Sequence, residues 1–514
     1  MASAITRADV TFESNTVQLL PPQRSRWPIA AWALVGAVVG ASLVWMAHRA
    51  LIDDAYITFS YVQNLVADGH WGLIPTEESN AATSPLNVLL LGAATWLVSL
   101  VTGDVQPVAG FSLLTIALTA LLTGWAAATA RRLGRSSAWS LAVLAVVLAN
   151  PFVNASLGME VVLTAALLMG LVHAAVRGSS VAFGVLAGLL VLTRLDLGVI
   201  VAAVFLLSPS IRRPFWRAPV IAAAVSLPWY AFSWWYFGSA IPDTFVIKTL
   251  QESFGEATFA NGLWSFWAGR GELAMWLGVA PALVGLVAVA ALLVAGIRRR
   301  VTAAQWPIAG LGLGGVAYFA AYSLLGVPPY QWYYAPSTVA LGVAGVLGLA
   351  LLAGRSRWVV AVPVAVAVAL TALTVVALPE RTLSWERPIY FGNWALPAQY
   401  LAVGEDVGRL VGDATVIAPP EIGTLAYACE CSIVDAFSDP GRTLPLIDER
   451  IDESGAVGTA LLEANFARRD ESVQPREAEF ELIYTKEAAP PDLPSWQVWS
   501  PATGDGTLFL QPLG

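Results

Sequence analysis

Apolar runs of about twenty residues recur along this chain from residue 27 to residue 378, and each is long enough to cross the hydrocarbon core of a bilayer as a helix. Lipid offers no water to backbone N–H and C=O groups, so a spanning segment has to satisfy them itself, as a helix or within a closed barrel. Hydrophobic residues make up 57% of the 514 positions and charged residues only 12%, far from the balance of a soluble domain. The chain is expected to be an α-helical polytopic membrane protein.

Arginines set the expected orientation. Arg7, Arg24 and Arg26 precede the first run, and later clusters stand at Arg131, Arg132 and Arg135, at Arg212, Arg213 and Arg217, at Arg298 to Arg300, and at Arg355 and Arg357. Cytoplasmic loops collect such residues, so these positions mark the inner side of a plasma membrane. The expected spans are 27–47, 107–130, 137–154, 160–176, 180–193, 196–209, 217–237, 272–297, 306–326, 336–353 and 358–378, eleven in all. Nothing after the first run resembles a cleavage site, so that run is read as a retained helix. Residues 84–101 are also apolar enough to span, but counting them would move Arg131, Arg132 and Arg135 outside. They are therefore expected to form an interfacial or re-entrant helix within a long first outer loop, residues 53–107.

Charge divides the chain a second time. Residues 379–514 hold 22 acids and 9 Lys or Arg, a balance of −13, whereas residues 1–378 are net +5. Short β-like runs at 415–418, 432–435, 481–484 and 508–510 give this acidic part the pattern of a small extracytoplasmic α/β domain. Residues 1–26 then form a cytoplasmic tail and 27–378 the transmembrane domain. Cys429 and Cys431 lie in that outer part, where a disulfide is permitted although one intervening residue strains its closure. No basic stripe suggests nucleic acid.

The polar residues of the expected outer side carry the chemistry. Asp53 and Asp54 directly follow the first span, and carboxylates at a bilayer boundary are costly unless hydrated, paired or bound to a cation. Glu160 begins one span, Arg194 and Asp196 join two, and Lys248 is the only lysine before residue 379. Taken singly, Glu160 can be a helix cap, Arg194 with Asp196 an internal ion pair, and Trp332, Tyr333 and Tyr334 an interfacial aromatic belt.

Taken in order, Asp53-Asp54-Ala55-Tyr56-Ile57, Thr83-Ser84-Pro85, Gly158-Met159-Glu160, Thr193-Arg194-Leu195-Asp196, Gly238 to Lys248, Trp332-Tyr333-Tyr334, Ile422 to Tyr427 and Val434-Asp435-Ala436 resemble the GT-C glycosyltransferases. Within that superfamily the set looks most like the actinobacterial arabinofuranosyltransferases of the cell wall. The resemblance implies a GT-C fold, with residues 27–378 as the catalytic membrane domain. It also implies an inverting transfer of a sugar, most closely arabinofuranose, from a polyprenyl-phosphate donor to a cell-wall glycan or glycolipid acceptor. Polyprenyl-phosphate mannose is the alternative donor; a lipid or sugar transporter is disfavoured because the acids gather at span ends rather than at the midplane.

Inverting transfer needs a base for the acceptor hydroxyl and a cation for the leaving phosphate. Asp53 or Asp54 is expected as the base, the other orienting the acceptor or holding a divalent cation through its oxygens. Lys248, Arg194 and Arg270 are the expected phosphate ligands, as a point charge and two bidentate forks. Tyr56, His70, Glu160, Asp196, Trp332, Tyr333 and Tyr334 are expected to bind or orient substrate.

Overall fold

A computed structural model describes residues 27–248, 254–353, 361–378 and 385–513. The arginines expected on the inner side at Arg7, Arg24, Arg26, Arg355 and Arg357 lie outside those described residues.

Helix α1 (Ile29–Ala47) leads into α2 (Asp53–Asp68), α3 (Pro85–Thr102) and α4 (Pro107–Arg132). Then follow α5 (Trp139–Leu148), a single turn α6 (Pro151–Asn154), α7 (Val161–Arg177), α8 (Ser180–Thr193), α9 (Gly198–Leu206), α10 (Arg217–Tyr236) and the short α11 (Asp243–Ile247). Helices α12 (Glu272–Ile297), α13 (Trp306–Leu325), α14 (Gln331–Leu352) and α15 (Ala361–Ala377) complete the bundle. Six of these, α1, α3, α4, α12, α13 and α14, are long and apolar enough to cross a membrane among the described residues.

Eleven such spans are expected from the sequence, and the difference has local causes. The expected span 137–154 is broken because the Asn150 side chain caps α6 and Pro151 opens it. The helices at 161–177 and 180–193 form where expected with 17 residues or fewer, as do the segment 195–206 and, within the described residues, the helix at 361–377. Helix α10 is 20 residues long, but its Trp and Tyr residues dilute the apolar run. Helix α3 is one unbroken helix of 18 residues with Pro85 at its first turn, long and apolar enough to cross a membrane by length and composition. The hydroxyl of Ser84 makes no capping bond to it.

Small residues let the helices meet, as helix packing in lipid requires. A Cβ on Gly36 or Gly40 of α1 would fall 2.4 Å and 2.1 Å from atoms of Thr123 and Thr119 on α4, and one on Gly110 of α4 would fall 2.1 Å from Thr95 on α3. Arg135, just beyond α4, donates to the carbonyls of Leu351 and Ala353 at the C-terminus of α14, where a helix end welcomes positive charge.

Residues 385–513 contain α16 (Pro397–Val411), β1 (Thr415–Ile417), α17 (Gly423–Cys429), β2 (Ser432–Val434), α18 (Pro440–Asp452), α19 (Ala456–Asn465), β3 (Phe480–Thr485), β4 (Ser495–Ser500) and β5 (Gly504–Pro512). The sheet order is β2-β1-β3-β5-β4, parallel at β2-β1-β3 and antiparallel from there on. Four strands stand where the sequence pattern places them; β4 is additional. Cys429 and Cys431 are joined by a disulfide across Glu430, which adopts a left-handed conformation.

This unit docks on α2. The Asp53 carboxylate accepts the Gly423 and Thr424 amides at 2.9 Å and 2.7 Å, so a residue of α2 caps the first turn of α17. Arg476 reaches Glu77 at 2.8 Å, and Gln63 donates to Glu430 at 2.7 Å. A Cβ on Gly423 would lie 2.1 Å from the Asp53 carbonyl oxygen, so only glycine fits the joint. Gly423→Ala is expected to lower stability by about 1–3 kcal/mol through overpacking, whereas Gly455→Ala, which meets open space, leaves it unchanged; thermal unfolding of the purified protein checks both.

Candidate active site

Between the bundle and the C-terminal unit lies a cavity of about 380 Å³. The start of α2 supplies Asp53 and Asp54 to its wall, the residue after α11 supplies Lys248, the turn before α12 supplies Arg270, and the start of α14 supplies Gln331 and Trp332. The C-terminal unit adds Asn393, Trp394, Glu421 and Asp435.

The two adjacent aspartates have different surroundings. Asp53 is buried, and besides holding α17 its own amide donates to Asn393 Oδ1 at 3.4 Å. Burial pushes its carboxyl up to about 6, with the Thr424 amide opposing that rise and the Asp54 charge adding to it. Asp54 is more open and takes one bond from Lys248 Nζ at 3.3 Å. Burial opposes the charge on Lys248, but Asp54, Tyr333 and Tyr330 outweigh it and hold the ammonium above its usual range. That ammonium also lies 5.5 Å from the centre of the Trp332 ring and 5.8 Å from that of Tyr330. Arg270 stacks on Phe266 at 3.4 Å and donates to the Phe266 carbonyl, which leaves other donors of its guanidinium at the cavity wall.

Arg194 is placed otherwise than the phosphate-ligand expectation requires. It sits buried at the C-terminus of α8, with Nη1 bonded to Glu160 at 3.0 Å and Nη2 to Asp196 at 2.6 Å. Nη2 also donates to the Tyr322 hydroxyl at 2.8 Å, and Tyr318 donates to Asp196. The fork is spent on two carboxylates, so it has no free edge for a phosphate, and Asp196 is committed to the same cluster. Glu160 touches both this cluster and the cavity wall.

The aromatic expectations separate in the same way. Trp332 lines the cavity, but Tyr333 packs beneath the Arg194 guanidinium at 5.2 Å, and Tyr334 is buried with its hydroxyl on the Phe259 carbonyl. Tyr56 is buried in the docking joint, 5.2 Å from Tyr427 and 5.3 Å from Phe59. His70 faces Glu78 at 3.9 Å, away from the cavity wall. None of these four lines the cavity: Tyr56 and Tyr334 are buried in packing, Tyr333 lies against Arg194, and His70 lies beside Glu78.

Nor do Asp53 and Asp54 converge on one cation. The Asp53 carboxylate is filled by amide donors, Asp54 takes one bond from Lys248, and no cluster of three or more His, Cys, Asp or Glu side chains suited to a metal ion occurs among the described residues.

Glu421 is a site residue that the sequence reading passes over. It accepts the Trp394 amide at 2.8 Å and the Tyr400 hydroxyl, and burial followed by the nearby Asp53 charge pushes its carboxyl up to about 8. Its only sequence signal is its place beside the Ile422–Tyr427 stretch. Asp435 is spent on the Phe437 and Ser438 amides in a local turn.

No protein-family model matches the chain, and no curated protein matches it in sequence. Among solved structures it is similar to ArnT from Cupriavidus metallidurans bound to undecaprenyl phosphate, with a TM-score of 0.54 at 14% identity, over 93% of this chain and 98% of that one. The arabinofuranosyltransferase AftD from Mycobacteria gives a TM-score of 0.44 at 14% identity, over 80% of this chain and 33% of that one. The first likeness establishes a GT-C-like fold for this chain.

Two outcomes follow from the electrostatics. Arg194→Met strands two buried carboxylates and is expected to cost about 3–5 kcal/mol of stability, recovered when Glu160→Gln and Asp196→Asn are added; thermal unfolding measures both. An acid whose folded-state value lies above its ordinary one binds more protons when folded, so Glu421 is expected to make stability fall as pH rises from 4.5 to about 8 and level off above. Glu421→Gln removes that fall, as melting temperatures across the pH range will show.

Proposed function

We propose that the protein is an inverting glycosyltransferase that moves a sugar, arabinofuranose by the motif resemblance, from a polyprenyl-phosphate donor to a cell-envelope glycan on the outer face of the membrane. The observation that carries this reading is the pairing of Asp54 with Lys248 in a cavity that also presents Arg270 and Trp332. A fold shared with a protein whose structure holds undecaprenyl phosphate supports a polyprenyl-phosphate donor.

Asp54 is the base and Asp53 its support. A base must reach the acceptor with an unfilled carboxylate, and Asp53 is filled by two amides while Asp54 has one movable partner. In the transfer the acceptor hydroxyl oxygen attacks the anomeric carbon and the bond from that carbon to the phosphate oxygen breaks. Polyprenyl phosphate leaves with the bonding pair, and the hydroxyl proton passes to Asp54. Phosphate is a good leaving group, so no acid is needed on its side; Lys248 and Arg270 stabilise its growing charge.

The same pairing links donor binding to access: a phosphate that draws Lys248 away opens the Asp54 carboxylate to the acceptor hydroxyl. Arabinofuranose and mannose on the same lipid phosphate meet this cation side alike, so comparing them as donors identifies the sugar.

Asp54→Asn is expected to lower turnover by at least about a hundredfold while retaining donor binding, and Lys248→Met to weaken donor binding about tenfold or more. Asp53→Asn is expected to lower the melting temperature as well as activity. Product release from radiolabelled polyprenyl-phosphate sugar, read beside donor binding, measures all three. Full turnover by Asp54→Asn would remove the base from this account.

A further inference from the structure

We infer that Asn393, Trp394 and Glu421 build a carbohydrate subsite that holds the acceptor sugar against Asp54; the inference rests on the glycosyltransferase reading above. Asp53 and Asp54 are neighbours in the chain but divide the cavity between them. Asp54 touches Lys248, whereas Asp53 touches the C-terminal unit through its contact with Asn393 and its bonds to α17. One side of the pair is therefore cationic and the other carries no cation among these three residues.

The chemistry of that second side suits hydroxyl groups. Asn393 offers an amide, which donates and accepts at once. Glu421, also bonded to Asn393, lines the wall with its carboxyl pushed up to about 8 by burial, so near neutral pH its protonated form can both donate and accept. Trp394 also lines the wall, its carbonyl held by Thr503 and its indole packed on Tyr484 at 4.7 Å. Sugars present alternating hydroxyls and a C–H face, and an amide, a neutral acid and an aromatic ring meet both. A phosphate would find an acidic neighbour and no cation here, so the donor's leaving group belongs at Lys248 and Arg270.

Glu421 is anchored on one side only by groups of its own unit. Its Oε2 takes the Trp394 amide and the Tyr400 hydroxyl, so the segment 393–394 and the acid keep one another in place. The segment precedes α16 and the acid precedes α17, so the subsite moves with the element that Asp53 caps. Docking of α17 on α2 thereby sets the distance between acceptor and base.

The test is steady-state kinetics of the full chain in nanodiscs, with short-chain polyprenyl-phosphate arabinofuranose as donor and synthetic arabinan and mannan oligosaccharides as acceptors. Glu421→Ala and, independently, Asn393→Ala are expected to raise the acceptor KM about tenfold while the donor KM stays within about twofold. Glu421→Gln, which remains neutral and hydrogen-bonding, is expected to keep the acceptor KM within about threefold of wild type. Donor and acceptor KM values that shift together in both alanine variants, or an unchanged acceptor KM, would overturn the subsite, as would wild-type donor cleavage with transfer to neither saccharide. Wild-type protein that neither binds nor cleaves the donor contradicts the glycosyltransferase reading itself, a result distinct from failure of the subsite.

Discussion

The Asp53 carboxylate, buried at the start of α2 and bonded to the Gly423 and Thr424 amides, is the constraint on which the cavity depends. A buried carboxylate without donors would be costly, and a short helix whose first N–H groups face protein rather than water would be costly too. Each meets the need of the other, and the contact leaves room only for glycine at Gly423. The joint brings the C-terminal unit over the end of the bundle, so the cavity has one wall from each part. Asp54, one residue on, is thereby left facing the space that the joint encloses.

A second polar cluster works by a different rule. Arg194 with Glu160, Asp196, Tyr318 and Tyr322 ties the α7, α8–α9 and α13 regions together among apolar helices. Buried charges persist in such surroundings when each is paired and hydrogen-bonded, and here one guanidinium serves two carboxylates. Glu160 is the link between this cluster and the cavity. The Arg194 cluster on that side and the α2–α17 joint on the other flank the cavity wall that carries the Asp54–Lys248 pair.

Much of this architecture is legible in the sequence because lipid imposes long uniform signals. The helices at 29–47, 107–132, 161–177, 180–193, 272–297 and 306–325 follow apolar runs whose ends are marked by Arg, Gly or Pro. The break at Asn150-Pro151 and the continuous α3 are harder to read, since an apolar run does not announce where a side chain caps a turn or how a helix lies. At the site, Asp54, Lys248, Arg270 and Trp332 stand out because charge or aromatic character in that setting needs a reason. Arg194, Tyr333, Tyr334 and Tyr56 share those residue types but are absorbed by ion pairing and packing, which spacing alone does not reveal. Asn393, Trp394 and Glu421 come from a segment more than 300 residues away from Asp53, so only the folded chain brings them to it. The roles of the two aspartates separate for the same reason, through partners that the tail supplies.

A cryo-EM structure of the protein in nanodiscs with a non-hydrolysable polyprenyl-phosphate sugar analogue would show directly which groups hold the phosphate. The phosphate is expected on Lys248 and Arg270, with the Asp53 bonds to Gly423 and Thr424 intact and Asp54 released toward the face of the anomeric carbon opposite the phosphate. A phosphate held instead by Arg194 away from this cavity, or one on the same side of the sugar as Asp54, would contradict that arrangement.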